Sequence, residues 1–435
     1  MCAWLVRADA RPGLDARMKV LISAIACSPY GGSELYVGWS ALKCLAQDHE
    51  LWVLTSGRHR AEIEDAVARG LLPGQVHFVY AGQFKEYHPN RLLARMQSWK
   101  EYLNFSRSIL AVARALHEKE KFDLVHHVTY ATWRIATPLW RLGVPFVFGP
   151  IGGNTNVPLR FLPILSPVAA GFELLRTASN QVSRVSPAVR ASLQHAAHVF
   201  TPDAETAALV ARIRGASDGV SALCHAFFSP ATIQMFARHG TARPASAPLR
   251  IFAGGNLIGT KGVALALPAL ARAKTQGVRF HYQLGGGGPE LARLKKLVRQ
   301  LGLSEDVTFV SLSGEAYRQA LGASHLYLLP SLRESAGLTM MEAMLSGCVP
   351  IVADCGGPAR IVTGECGYKI AVTSRQQMIA DLTETLVTLD RRRELIAEKS
   401  VLAAARIATG FSEENYRQAV NAIYAAVAAR KRVST

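Results

Sequence analysis

Short apolar runs alternate with amphipathic stretches of helical period along almost the whole chain. Apolar runs bounded by turn formers read as buried strands, and apolar positions recurring every three to four residues read as helices packed on them. In the first half this pattern predicts strands at 20–24, 50–55, 76–81, 124–128, 146–149 and 199–201, with helices at 33–46 and 90–120. Residues 238–249, RHGTARPASAPL, break the pattern and read as a linker. Beyond them strands are predicted at 250–253, 280–284, 307–310, 326–329 and 349–353, and helices at 263–275, 290–301 and from 377 onward. Such alternation calls for crossover helices and therefore parallel sheets. The expected fold class is α/β, with two doubly wound Rossmann-like domains facing a cleft and ligand held at the C-terminal ends of strands. The expected boundaries are 18–237 and 250–411, with a closing helix at 412–435 packing back on the first domain. Residues 1–17 are expected to be a disordered leader or the product of an early start codon, because Met18 directly precedes the first strand.

Composition narrows the partners. Of 435 residues, 49% are hydrophobic and 19% charged, which suits a folded chain rather than a disordered one. No apolar run is long enough to span a membrane, and the charges that follow the first short apolar run argue against a signal peptide. The seven cysteines form no C-x-x-C pair and read as reduced thiols, so the expected compartment is the cytoplasm. The net charge of +17 fits nucleic acid, an anionic membrane or an anionic substrate such as a nucleotide diphosphate. The charge is spread over both halves with no finger or RNA-reading signature, so nucleic acid is set aside.

The most informative stretch is residues 330–362, PSLRESAGLTMMEAMLSGCVPIVADCGGPARIV. It leaves a buried strand, crosses a short loop, enters a helix near Leu338, stops at Gly347 and runs into the next strand. The free amides of Ser335, Ala336, Gly337, Leu338 and Thr339 sit at a helix N-terminus, which favours a phosphate. Gly337 lets the backbone come close. Glu334 stands before those amides and Glu342 one turn into the helix, where two carboxylates reach different hydroxyl pairs. A second loop, Gly254 to Gly262, carries Lys261 at a helix entrance, where it would neutralise a diphosphate. A third, Gly285-Gly286-Gly287-Gly288-Pro289-Glu290, is a glycine turn after a strand. In the first half, Gly31 and Gly32 follow the first strand, and His126 and His127 end the fourth. Solvated glutamates, a solvated lysine, tight turns and structural histidines are the alternatives for these residues.

Together these motifs resemble family 4 of the retaining glycosyltransferases, which have the GT-B fold, over nearly the whole chain from Met18. The resemblance implies that Glu334 contacts the donor sugar, that the amides of Ser335 to Thr339 hold sugar and phosphate, and that Glu342 binds the ribose. Lys261 would neutralise the leaving diphosphate, Gly287 would lie near the base, and Gly31 and Gly32 near donor phosphate and acceptor. The family's donor-sugar histidine falls on Val128 here, so His127 is taken as a catalytic candidate beside Glu334 and Lys261, and His126 as a substrate contact. Two departures stand out. Ser335-Ala336-Gly337 replaces the usual Gly-Phe-Gly, and Asn256 stands where the family has an arginine, with Arg333 or Arg360 as conceivable substitutes.

The stretch from His126 to Trp133, with Gly149-Pro150-Ile151-Gly152-Gly153, looks like members that build bacterial exopolysaccharide or capsule. The expected activity is therefore retaining hexosyl transfer from a UDP- or GDP-sugar to a glycan or lipid-linked acceptor in exopolysaccharide, capsule or lipopolysaccharide synthesis. No D-x-D sequence occurs, so transfer without a metal and without a cofactor is expected. A hydrolysing nucleotide-sugar epimerase of the same fold and a basic membrane- or nucleic-acid-binding protein are the alternatives. Residues 91–116 form a basic amphipathic pattern, with Leu92, Met96, Trp99, Leu103, Leu110 and Ala113 near one face. That face either rests on an anionic membrane, at the cytoplasmic side of the inner membrane, or packs into the core; the core reading is slightly favoured.

Overall fold

The computed structural model describes residues 17–31, 34–82, 84, 91–130, 132–239 and 247–434, with the backbone alone for 91–96 and 431–434. Gly32, the 1–16 part of the expected leader and residues 240–246 of the expected linker lie outside the described residues, as do the side chains of Leu92 and Met96.

The chain divides into two units, each built on a parallel sheet. The first sheet contains β1 (Lys19–Ala24), β2 (Glu50–Ser56), β3 (Val76–Ala81), β4 (Leu124–Thr129), β5 (Phe146–Phe148), β6 (His198–Thr201) and β7 (Val220–Ala222). Their order is β3-β2-β1-β4-β5-β6-β7. The second contains β8 (Leu249–Gly254), β9 (Phe280–Gly285), β10 (Val307–Val310), β11 (Leu326–Leu328), β12 (Val349–Ala353) and β13 (Tyr368–Ile370), in the order β10-β9-β8-β11-β12-β13. Every pairing is parallel. Central strands such as β5 and β12 are buried on both faces, which is why they read as continuous apolar runs rather than alternating ones. β7 and β13, three residues each at sheet edges, are too short for the periodicity to reveal.

In both sheets the strand order reverses beside the first strand: between β1 and β4, and between β8 and β11. Loops leaving the two strands of such a reversal run to opposite faces and open a crevice between them. The loops carrying Lys261 and Glu334 leave β8 and β11, so both stand at the switch point of the second sheet.

The unit boundaries differ from the expected 18–237 and 250–411. The second unit takes in Thr155–Ala178 and begins again at Ala226, while Glu414–Thr435 belongs to the first. Specific bonds explain the reassignment. Within the second unit an Arg160 Nη donates to the Val372 carbonyl at 2.6 Å, and the Phe228 amide donates to the Phe411 carbonyl at 2.9 Å. Within the first unit Arg417 reaches both oxygens of Asp48 at 2.7 and 2.9 Å, and His49 shares a 3.0 Å bond with Asn421.

The helix Arg91–Glu120 buries Tyr102, Phe105, Ile109 and Ala113 in the first unit's core, with Trp99, Val112 and Leu116 packed against that cluster. The expected face is corrected: Leu103 is exposed and Leu110 only partly buried. Apolar residues occur on more than one side of this helix, and the neighbouring strands decide which side goes inward. No helix among the described residues is long and apolar enough to cross a membrane.

Candidate functional site

In the second unit, the chain leaving β8 passes a short turn, Gly259–Lys261, and enters the helix Val263–Thr275 through Gly262 at φ +73°. A Cβ on Gly262 would lie 2.0 Å from the Pro330 carbonyl oxygen, so only glycine allows this turn to meet the end of β11. The two loops are then tied by backbone: the Leu332 amide donates to the Thr260 carbonyl at 2.8 Å. This contact brings Lys261 to Glu334, 73 residues away, and the ammonium donates to Glu334 Oε2. Both side chains are about four-fifths buried. The ion pair leaves Glu334 Oε1 accepting only a long 3.3 Å bond from the Ser335 amide.

The helix Leu338–Leu345 starts from Gly337 at φ +77°, and no side chain caps it. Without a side-chain cap, its first amides carry the positive end of the helix dipole. Ser335 is exposed, whereas Ala336 is buried, so Ala336 offers backbone and not side chain to a ligand. Leu338 and Thr339 are half-buried beside them. The whole loop lies on Gly356 and Gly357, which follow β12. The Gly357 amide donates to the Glu334 carbonyl at 3.1 Å, and a Cβ on Gly357 would fall 1.6 Å from the Ser335 carbonyl oxygen.

Glu342 is held differently. Its Oε2 accepts a 2.6 Å bond from the Tyr317 hydroxyl, and Tyr317 stands edge-on to Phe252 of β8 and to Phe236. Burial pushes the Glu342 carboxyl up to about 7, against the opposing pull of the Tyr317 bond. Burial and the adjacent Glu342 charge hold Tyr317 far above the ordinary phenol range, so it remains a donor.

Asn256 is exposed, and the Leu257 amide donates to the Gly287 carbonyl at 2.8 Å, which ties the loops after β8 and β9. A Cβ on Gly287 would meet nothing within 4 Å. Arg333 does not replace the missing arginine at Asn256. It is bound to Glu173 through Nη at 2.7 Å and Nε at 3.2 Å, and Glu173 is buried. Arg360 sits half-buried on the helix Gly356–Ile361.

In the first unit, Gly31 follows β1, where an added Cβ would press into Leu35. The same loop is anchored by Ser28, which donates to Glu62, and by Tyr30, whose hydroxyl donates to Asp65 at 2.9 Å. The two histidines require correction. His126 bonds through Nδ1 to the Tyr424 hydroxyl at 2.7 Å and through Nε2 to the Gly149 carbonyl at 2.6 Å. His127 bonds to the Ser23 hydroxyl at 3.0 Å and the Tyr102 hydroxyl at 3.1 Å. Both rings are buried with both nitrogens engaged, which leaves no nitrogen for a sugar. Burial lowers their pKa values to about 4 and about 3, so they are neutral core histidines.

Two residues of the second unit escaped the sequence reading. Tyr317 lies on the helix Gly314–Ala323 in no motif. Glu173 carried a signal that went unused: it is the only carboxylate between Asp123 and Asp203.

Comparisons with known proteins match both halves of the chain. Residues 31–222 match the model for the glycosyl transferase 4-like domain, and residues 242–400 match that for glycosyl transferases group 1. A putative colanic acid biosynthesis glycosyltransferase, WcaL of Salmonella typhimurium, is 28% identical over 155 residues, 34% of this chain and 38% of the relative. The lipopolysaccharide glucosyltransferase WaaG of Escherichia coli is 28% identical over 149 residues, 34% of this chain and 39% of the relative. The matches thus span well under half the length of these curated relatives. Among solved structures, HepE of Anabaena in complex with UDP superposes with a TM-score of 0.60 at 16% identity, covering 94% of this chain and all of that one. At that identity the likeness speaks for the fold alone. With a parallel doubly wound sheet in each unit and a family model matched on each, the chain belongs to the family 4 glycosyltransferases of GT-B fold.

Proposed function

We propose that this protein is a retaining, metal-independent hexosyltransferase that moves a hexose from a nucleotide-sugar, with UDP- or GDP-sugar as donor, to a glycan or lipid-linked acceptor in exopolysaccharide, capsule or lipopolysaccharide synthesis. The observation that carries the reading is the meeting of Lys261 and Glu334 at the switch point, beside the uncapped helix start at Leu338. A cation, a carboxylate and free amides within one loop pair suit a sugar diphosphate better than a neutral or purely apolar ligand.

In this mechanism donor entry separates the ion pair. Lys261 turns to the diphosphate, and Glu334 accepts hydrogen bonds from hexose hydroxyls. Glu342 accepts from the ribose. The bond from the anomeric carbon to the diphosphate oxygen breaks while the acceptor oxygen bonds to that carbon on the same face. The acceptor proton passes to a phosphate oxygen of the departing nucleoside diphosphate, so no side-chain nucleophile is needed. Lys261 and the helix amides stabilise the charge developing on the leaving group without a metal or other cofactor. The relationship to WcaL and WaaG supports a polysaccharide or lipopolysaccharide acceptor. The test is a thermal-shift panel of UDP-, GDP- and ADP-sugars with excess EDTA. Stabilisation by one base series is expected; no shift with any of them would remove the reading.

The Tyr317–Glu342 pair gives this site a pH signature. The carboxylate is the form that accepts two ribose hydrogens, and it grows as pH rises through about 7. Donor affinity, measured calorimetrically, is therefore expected to rise over that range. The Tyr317 bond favours the ionised form, so Tyr317→Phe is expected to move the midpoint to higher pH. A loss of affinity equal at pH 6, 7 and 8.5 would show that Tyr317 only packs.

A further inference from the structure

Among the described residues the carboxylates most shut off from water are Asp203, Glu290 and Glu173, with 3%, 4% and 6% of their surface exposed. Asp203 caps its own helix, accepting from the Thr206 amide at 2.7 Å, and Glu290 pairs with Arg293 at 2.7 Å. Each of these two finds its partner three residues away. Glu173 does not. Its ion pair with Arg333 joins residues 160 apart in the chain, both of them in the second unit. A buried ion pair adds little stability over an apolar pair of the same volume, because both charges give up their hydration. What it does supply is geometry. The planar guanidinium engages both carboxylate oxygens, one through Nε at 3.2 Å and one through Nη at 2.7 Å.

That geometry bears on the site because Arg333 immediately precedes Glu334. Three segments hold the chain here. The Leu332 amide donates to the Thr260 carbonyl, and the Glu334 carbonyl accepts from the Gly357 amide. Those two ties are made by backbone; Glu173 supplies the third, through the Arg333 side chain. The same bond keeps Arg333 occupied. Three-quarters of that side chain is buried, so without Glu173 its charge would need another carboxylate, and the next residue in the chain carries one. Arg333 drawn to Glu334 would compete with Lys261 for it.

We propose that Glu173 is a positioning residue of the donor site: through Arg333 it fixes the chain at Glu334 and withholds Arg333 from that carboxylate, so that Glu334 meets the hexose. The inference rests on the reading of Glu334 as the hexose contact. It makes the effect of losing Glu173 selective. A bare nucleoside diphosphate meets Lys261, the helix amides and Glu342 but offers nothing to Glu334, so its binding does not depend on Glu173.

The test is calorimetric titration of the full chain with UDP-glucose, UDP-galactose and GDP-mannose, beside bare UDP and GDP. Glu173→Gln is expected to weaken binding of the nucleotide-hexose about tenfold, while the bare nucleotide stays within about twofold. Glu173→Asp keeps the charge and is expected to recover part of the loss. Glu173→Leu with Arg333→Met removes both charges, so its Tm is expected to stay near that of the wild type, and yet it weakens the nucleotide-hexose as Glu173→Gln does. The assignment is overturned if this double variant binds the nucleotide-hexose as the wild type does, or if nucleotide-hexose and bare nucleotide weaken alike. A wild type that binds none of the nucleotide-hexoses overturns the donor-site reading as well; one that binds them, with variants unchanged, overturns the role of Glu173 alone.

Discussion

Lys261→Ala is expected to lower kcat/KM for sugar transfer by about 10²–10³, the usual loss when one preorganised charge at a developing anion is removed. Charge accumulates on the diphosphate as its bond to the sugar breaks, so the loss falls mainly on kcat. The variant also leaves Glu334 without its ion-pair partner in a largely buried position. Lys261→Arg keeps the charge and is expected to recover part of the activity. Steady-state rates with the donor identified by thermal shift provide the measurement. A Lys261→Ala enzyme with an unchanged kcat would remove Lys261 from the site.

Gly357→Ala is expected to give the largest structural effect of any single methyl group in the second unit's site. Its Cβ would sit 1.6 Å from the Ser335 carbonyl oxygen and 2.5 Å from the Ser335 carbonyl carbon. Backbone stands on both sides, so no flexible side chain can give way. Overpacking of this kind costs about 1–3 kcal/mol, or about 2–4 °C in Tm per kcal/mol for a unit of this size. The loop from Glu334 to Thr339 must shift as well, so donor affinity is expected to fall with Tm. Gly287→Ala is the control: its methyl would enter open space, and Tm is expected to hold. Equal melting of the two variants would disprove the close packing of the two loops.

Much of the fold was legible in the chain. β3, β10, β12 and the helix Val263–Thr275 fall at the positions the apolar pattern predicts. Buried strands and amphipathic helices differ in period, and period is a local property. The motif at residues 334–342 was legible for a related reason. Its loop, glycines and helix start are contiguous, so the spacing of Glu334, Gly337 and Glu342 already implies their arrangement. His126 and His127 were misread because burial is set by distant partners. Tyr102 and Tyr424 claim their nitrogens from 25 and 298 residues away. Arg333 was misread in the same way, through Glu173 at a separation of 160 residues.

The sequence by itself determined two parallel α/β units, the turns that need glycine, and Lys261, Glu334 and Glu342 as candidate site residues. Only the tertiary structure decided that Lys261 and Glu334 pair with each other, because β8 and β11 become neighbours only when the strand order reverses. It also decided that Tyr317 serves Glu342, and that residues 155–178 and 414–435 cross to the units opposite to their neighbours in sequence. These are contacts between segments far apart in the chain. Local propensity carries no information about them, since they follow from which surfaces the sheets leave to be covered.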